Sequence, residues 1–202
     1  MNYDEIKSDF KAQVKTGLDI LVKSEENKDV YALVFDCDSS TGEVALVYNN
    51  IHMFEEMKKD WEKYKYMYEP YGLNGLFGFK YNSVGDFKII DLDFEGDVER
   101  FLDSYYYYSV GHYYGEGEPL GSISMNGNEY DADALKNEMP RIWETLIIET
   151  INELKEELIN IDTTDDFIMF MCDHDISNED FEMWIRKTND SALIDKLASI
   201  MD

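Results

Sequence analysis

The run "DFIMFMC", residues 166–172, carries no polar side chain between Phe167 and Cys172. A strand with one face in water alternates apolar and polar side chains, whereas one that is apolar throughout has to be covered on both faces. The chain therefore calls for a sheet with this strand at its centre and packing on either side. A second run, "YALVFDCD" at residues 31–38, also ends in a cysteine followed by aspartate. If the two strands finish side by side, Asp36, Cys37, Asp38, Cys172, Asp173, His174 and Asp175 gather there, and Cys, His and carboxylate are all zinc ligands. No short fixed ligand spacing such as Cys-x-x-Cys accompanies them. Alternation also places Cys37 with Leu33 and Phe35, toward a core, and turns Asp36 and Asp38 the other way. The expectation is two buried thiols beside solvated strand-end acids, with no metal and no cofactor.

Helical spacing marks the elements around these strands. Tyr3, Ile6, Phe10, Val14, Leu18, Leu21 and Val22 share one face. "VYALVFDCD" and "EVALVYN", joined by "SSTG", predict an antiparallel hairpin. Ile51, Phe54, Met57, Trp61, Tyr64 and Tyr68 predict a second amphipathic helix, stopped by Pro70 and Gly72. "GLFGFKYNSVGDFKIID" predicts another hairpin with "NSVGD" as its turn. Val98, Phe101, Leu102 and Tyr105 predict a short helix after Asp97, followed by a Gly-rich loop, "GHYYGEGEPLGS". Met139, Ile142, Trp143, Leu146, Ile147, Thr150, Ile151, Leu154 and Leu158 form one long stripe, with Pro140 either starting the helix or kinking it. A capping pattern from Ser177 to Asp180 opens the first of two closing helices, lined by Phe181, Trp184 and Ile185. The order α-β-β-α-β-β-α-α-β-α-α contains no linker or repeat. It predicts a single α+β domain over residues 1–202, with a mainly antiparallel sheet of about five strands packed by amphipathic helices.

Charge narrows the partners. Eighteen basic against forty-four acidic residues give a formal charge of -26. Residues 1–90 hold 11 basic and 16 acidic residues, and residues 91–202 hold 7 and 28. Such a field repels nucleic acid and anionic membrane and attracts a basic protein. Two cysteines 135 positions apart form no disulfide framework and read as reduced thiols of a cytoplasmic protein. The N-terminal "MNYDEIKSDFKAQVK" lacks the apolar core of a signal peptide, and no stretch approaches the roughly 20 apolar residues that span a bilayer.

The templates of catalysis are missing. "DCDSSTGEVALV" fails as a calcium loop, because Thr41 and Val47 stand where glycine and a bidentate glutamate are required. No phosphate-binding loop, H-E-x-x-H, G-x-S-x-G or dinucleotide fingerprint occurs, so no catalytic residue is assigned. Local composition is most unusual at "YYYYSVGHYYGEGEP", residues 105–119. Tyrosine offers large contact area at low entropic cost, so Tyr106, Tyr107, His112, Tyr113, Tyr114, Glu116 and Glu118 are the candidate binding residues. Asp103, Glu116 and Glu118 would select a basic partner, while Tyr105 shares the stripe of Phe101 and Leu102 and belongs to the core.

The N-terminal amphipathic helix, "VYALVFDCDSSTGEVALVYNN", "WEKYKYMYEPYG", the long helix, "FIMFMCDHD" and "RKTNDSALIDKLA" together resemble the bacterial family called domain of unknown function 4303. The resemblance spans nearly the whole chain in patterns of residue type. It departs at "EPYGLNGLFGFKY", where the family carries a tryptophan-containing segment. It implies no specific activity, and its nearest analogy is in style, to small acidic immunity proteins. The reading is a non-enzymatic protein-binding module, most concretely an immunity-type inhibitor of a basic toxin or nuclease domain. The alternative is a hydrolase-like enzyme using clustered carboxylates with His112 or His174.

Overall fold

A computed structural model describes residues 1–68, 80, 84–113, 115, 117–173 and 178–199. In chain order the elements are helix α1 (Tyr3–Lys23), strands β1 (Val30–Cys37) and β2 (Val44–Asn50), helix α2 (Ile51–Tyr68), strand β3 (Lys88–Ile90) and helix α3 (Gly96–Val110). Strands β4 (Ser122–Met125) and β5 (Asn128–Asp131), helix α4 (Ala132–Lys155), strand β6 (Thr163–Asp173) and helices α5 (Asn178–Thr188) and α6 (Ser191–Ser199) complete them. The fold is α+β, as expected. Its strands divide into a four-stranded sheet, in the order β3-β2-β1-β6, and a separate β4-β5 hairpin.

The central strand is β1, which pairs antiparallel with β2 and parallel with β6. The expectation that "DFIMFMC" lies at the centre of the sheet is therefore corrected. Among the described strands its own, β6, is at the edge, yet both faces are covered as its composition demands. Met169 and Met171 join Leu33, Phe35 and Cys37 in a core shared with α1, α3 and α4. Ile168, Phe170 and Cys172 join Ala32 and Val34 in a second core, with Phe54 of α2, Ile185 of α5 and Ile194 and Leu197 of α6. A register shift between Val30 and Ala32 brings Tyr31 and Ala32 into this same core. The outer edge of β6 is closed locally by a side chain that imitates a strand partner. The Asn189 carboxamide accepts from Met169 N at 3.1 Å and donates to Met169 O at 3.0 Å.

The predicted hairpin of "VYALVFDCD" and "EVALVYN" forms, with Cys37 opposite Val44. Of the second predicted hairpin, "DFKIID" supplies β3, which pairs with β2 through Leu46 and Ile90. Its other predicted arm lies outside the described residues, apart from Lys80. No element is expected over residues 122–131, yet β4 and β5 form there around Asn126 and Gly127, at φ +52° and +75°. Two central residues at positive φ suit the right-handed twist of a tight hairpin. Each strand has only four residues, too few for an alternation to stand out. The same omission hides the start of the long helix. Asp131 caps it by accepting from Ala134 N at 2.9 Å, so Pro140 lies well inside α4. Pro140 is exposed, which leaves the backbone acceptor it cannot satisfy open to water.

Helices α1 and α4 run parallel and are tied by a ladder of charges. Lys7 meets Glu149 and Glu153 at 3.0 and 3.2 Å, Lys11 meets Glu153 and Glu157 at 3.0 and 2.8 Å, and Lys15 meets Glu157. Spacing by four residues along α1, and along α4 and the turn after it that carries Glu157, keeps successive pairs in step. Lys11 and then Lys15 hold the Glu157 carboxyl at about 2, and Lys11 leads in lowering Glu153.

Two outcomes follow for stability. Trp143 is 2% exposed, so Trp143→Ala should cost about 3–5 kcal/mol in denaturant unfolding, the range for a large aromatic removed from a packed interior. A loss well under about 1 kcal/mol would place the ring outside the core. The ladder should show in acid. Glu153 and Glu157 titrate lower folded than unfolded, where glutamate sits at about 4.3, so the stabilisation they carry is present above that value and fades as pH falls toward about 2. Because the pairs are partly exposed, added salt should weaken the effect. Glu157→Gln should flatten the dependence of stability on pH in this window, and an unaltered slope would mean that the ladder contributes nothing.

Candidate functional site

The two cysteine-aspartate runs do end side by side. In the parallel pairing Asp36 stands opposite Cys172, and Cys37 opposite Asp173. Matched registers in a parallel pair put neighbours on the same face, so Cys37 packs in one core and Cys172 in the other. The sheet itself separates the two sulfurs. Among the described residues no group of three or more His, Cys, Asp or Glu side chains is arranged to hold a metal ion. Burial pushes the Cys37 thiol well up, and burial followed by the Asp36 and Asp173 charges pushes Cys172 to about 12. Neither is a thiolate at neutral pH, which removes the nucleophilic form.

What the junction does build is a cleft of about 700 Å³ at the carboxyl end of β1. One wall comes from β1, β2 and the loop between them: Asp36, Cys37, Asp38, Thr41, Gly42, Glu43, Val44 and Ala45. The other is Phe94 with Leu102, Asp103 and Tyr106 of α3. Helix α3 can supply this wall because it runs on to Val110, further than the short helix the sequence suggests. Val98, Phe101 and Tyr105 then face the core, while Leu102, Asp103 and Tyr106 lie on an adjoining face.

The cleft has acidic side chains on both walls, and its second wall also carries the apolar surfaces of Phe94, Leu102 and Tyr106. Asp38 is held by its own turn: its Oδ1 accepts from Ser40 N and Oγ at 2.8 and 2.6 Å and from Thr41 N at 3.3 Å. These bonds, the Ser40 hydroxyl first, keep its carboxyl below the usual carboxylate range. Asp103 goes the other way. It has no ion-pair partner among the described residues, and burial alone raises its carboxyl above the usual range. Among the described residues no lysine, arginine or histidine lines the cleft. A hydrolase-like site would need a histidine within reach of these carboxylates. His52 and His112 are exposed elsewhere, and His174 lies outside the described residues.

The described tyrosine-rich candidates differ in their contacts, and Tyr113 lies beside Asp103: a Cβ at Gly115 would stand 2.7 Å from the Tyr113 hydroxyl and 2.3 Å from Asp103 Oδ2. Tyr106 lines the cleft. Tyr107 instead stacks edge-on with Tyr108 at 5.1 Å and with Tyr113 at 6.3 Å. The Tyr108 hydroxyl donates to Leu120 O at 2.6 Å, so part of this cluster fastens the loop after α3. His112 and Glu118 are exposed on that loop. The Glu118 backbone carbonyl accepts from Arg100 at 3.3 Å. Tyr114 and Glu116 lie outside the described residues. Tyr105 is in the core, as its stripe implies, at 1% exposure.

Sequence reasoning named Asp36, Asp38 and Asp103 without joining them, and it missed Glu43, Phe94 and Leu102 as a common surface. Extending the period of α3 through Val110 was the available signal. No family model, curated protein or solved structure matches this chain.

Cys172→Ser tests the buried-thiol assignment. It should lower stability by about 1–3 kcal/mol by burying a hydroxyl, and the purified parent protein should contain no stoichiometric zinc by elemental analysis. Zinc that is present and lost on the substitution would reverse the assignment.

Proposed function

We propose that the chain is a non-enzymatic protein-binding module that receives a basic segment of a partner protein in the cleft at the end of β1. One observation carries the reading. Carboxylates stand on two facing walls, Asp36, Asp38 and Glu43 on one and Asp103 on the other, around the apolar surfaces of Phe94, Leu102 and Tyr106. A lysine or arginine side chain is the complement of such a slot, with an apolar stem for the floor and a cationic head for the walls. A guanidinium also stacks on an aromatic face. The charge of -26 supplies long-range attraction that speeds encounter with such a partner.

In its most specific form the module is an immunity-type inhibitor that caps a basic toxin or nuclease domain in the cytoplasm. The element order that resembles the domain of unknown function 4303 family agrees with this form in style alone. The negative field disfavours nucleic acid and anionic membrane as partners. The binding surface differs from the one the tyrosine composition suggests, since Tyr106 takes part and Tyr107 turns elsewhere.

Labelled oligo-arginine peptide is the probe. Its association should slow with added salt, because the Debye length shrinks from about 10 Å at 0.1 M to about 3 Å at 1 M. Asp103→Asn should weaken binding mainly through slower association, and Tyr106→Ala mainly through faster dissociation by removing contact area. Glu118→Lys, away from the cleft, should change the rates far less than Asp103→Asn. Recovery of anionic ligands only, or rates that none of the cleft variants alters, would contradict the reading. Binding should also fade as pH falls through the raised range of Asp103, because the neutral acid no longer attracts a cation.

A further inference from the structure

The loop between β1 and β2 supplies Asp38, Thr41, Gly42 and Glu43 to the cleft, and three distant parts of the chain hold it from behind. The Ser39 amide donates to Asp173 Oδ2 at the end of β6, at 2.8 Å. The Ser39 carbonyl accepts from the Tyr105 hydroxyl of α3, at 2.6 Å. The Gly42 carbonyl accepts from Trp143 Nε1 of α4, at 3.2 Å. All three anchors are buried, at 6%, 1% and 2% exposure. The two rings also touch, with centroids 5.2 Å apart.

Gly42 is fitted to this clamp. Its φ is +83°, and a Cβ placed there would stand 2.4 Å from Tyr105 Cδ1. The loop backbone therefore lies directly on the tyrosine ring, which only glycine permits at that conformation. Helix α3 does two things at once. Tyr105 pins the loop, while Asp103 and Tyr106 form the wall that the loop faces.

We propose that Tyr105, Trp143 and Asp173 are positioning residues that hold the acidic wall of the cleft in its binding geometry before a partner arrives. This inference rests on the reading of the cleft as the site for a basic segment. A six-residue loop from Asp38 to Glu43, with Ser39, Ser40 and Glu43 exposed, would otherwise lose conformational freedom on binding, and fixing it in the free protein removes that cost from association. Three hydrogen bonds to backbone atoms fix the chain path without using the carboxylates that meet the ligand. Rotation of the loop away from α3 would separate Asp38 and Glu43 from Asp103.

The test uses the full chain and labelled oligo-arginine peptide, well below the unfolding temperature. Tyr105→Phe keeps the ring and removes the hydroxyl, and Trp143→Phe removes the indole donor. Ile142→Val, on α4 beside Trp143, trims the buried core without touching the loop's hydrogen bonds. Tyr105→Phe should speed amide exchange at Ser39 to Gly42 and weaken peptide binding about fivefold, the scale of one hydrogen bond. Trp143→Phe should act in the same direction, and Ile142→Val should leave both measurements unchanged. Binding that depends on Asp103 yet is unmoved by Tyr105→Phe overturns this inference alone. An equal loss in Ile142→Val does the same, since it would show general loosening. Failure of the parent protein to bind the peptide, or binding indifferent to Asp103→Asn, overturns the cleft reading and this inference together.

Discussion

The pairing of β1 with partners on both edges is the constraint from which the rest of the structure follows. With β2 on one side and β6 on the other, β1 has no free edge, and its side chains fill two cores. Every backbone donor and acceptor along it has to be satisfied within the sheet, because water does not reach either face. Two faces of apolar residues then need two sets of helices. Helices α1, α3 and α4 cover one face, and α2, α5 and α6 the other. A strand so enclosed meets solvent only at its ends, so polar chemistry carried by β1 is confined to the Asp36 to Asp38 end.

That confinement explains why a sheet end, and not a loop far from the core, carries the cleft. The parallel neighbour β6 delivers Asp173 to the same end, where its carboxylate is spent on the Ser39 amide. The loop after β1 is thereby docked onto the strand beside it, while α3 and α4 reach it with Tyr105 and Trp143. Core and site are thus continuous here. The rings that bury area between α3 and α4 also direct their polar atoms at the loop. Aromatic residues with a polar tip suit this double task, because the ring packs and the tip finds a backbone partner.

Much of this was legible in the sequence wherever periodicity ran long. The stripes from Tyr3 to Val22 and from Met139 to Leu158 correspond to helices α1 and α4, except that α4 ends at Lys155 and Leu158 lies beyond it. The pair "VYALVFDCD" and "EVALVYN" is the β1-β2 hairpin, and alternation placed Cys37 correctly. The position of β6 in the sheet was not legible. Two-sided burial is a property of the faces of a strand, and nothing in "DFIMFMC" reports whether its edge is paired or merely closed by Asn189. The β4-β5 hairpin was missed although Asn126-Gly127 is a strong turn signal, because its strands are too short to alternate visibly. The cleft was only half legible. Its acids come from positions 36 to 43 and 103, which no local pattern connects, and the tyrosine run drew attention to side chains that α3 points in different directions.

Charge plays two opposed parts in this molecule, and geometry keeps them apart. In the α1-α4 ladder each of Glu153 and Glu157 lies between two lysines, so the negative charge of that face is compensated. Among the described residues that line the cleft, none is basic. Most of the eighteen basic residues belong to the N-terminal 90 residues, and several of them serve the ladder. The excess of acidic over basic residues sets the sign of the overall field. Salt should therefore weaken the fold and the proposed capture of a cation by separate routes, the first through short pairs and the second through steering over longer range. A ladder variant such as Glu157→Gln changes only the first. Equal salt dependence of peptide association in that variant and in the parent protein would show that the two uses of charge are independent.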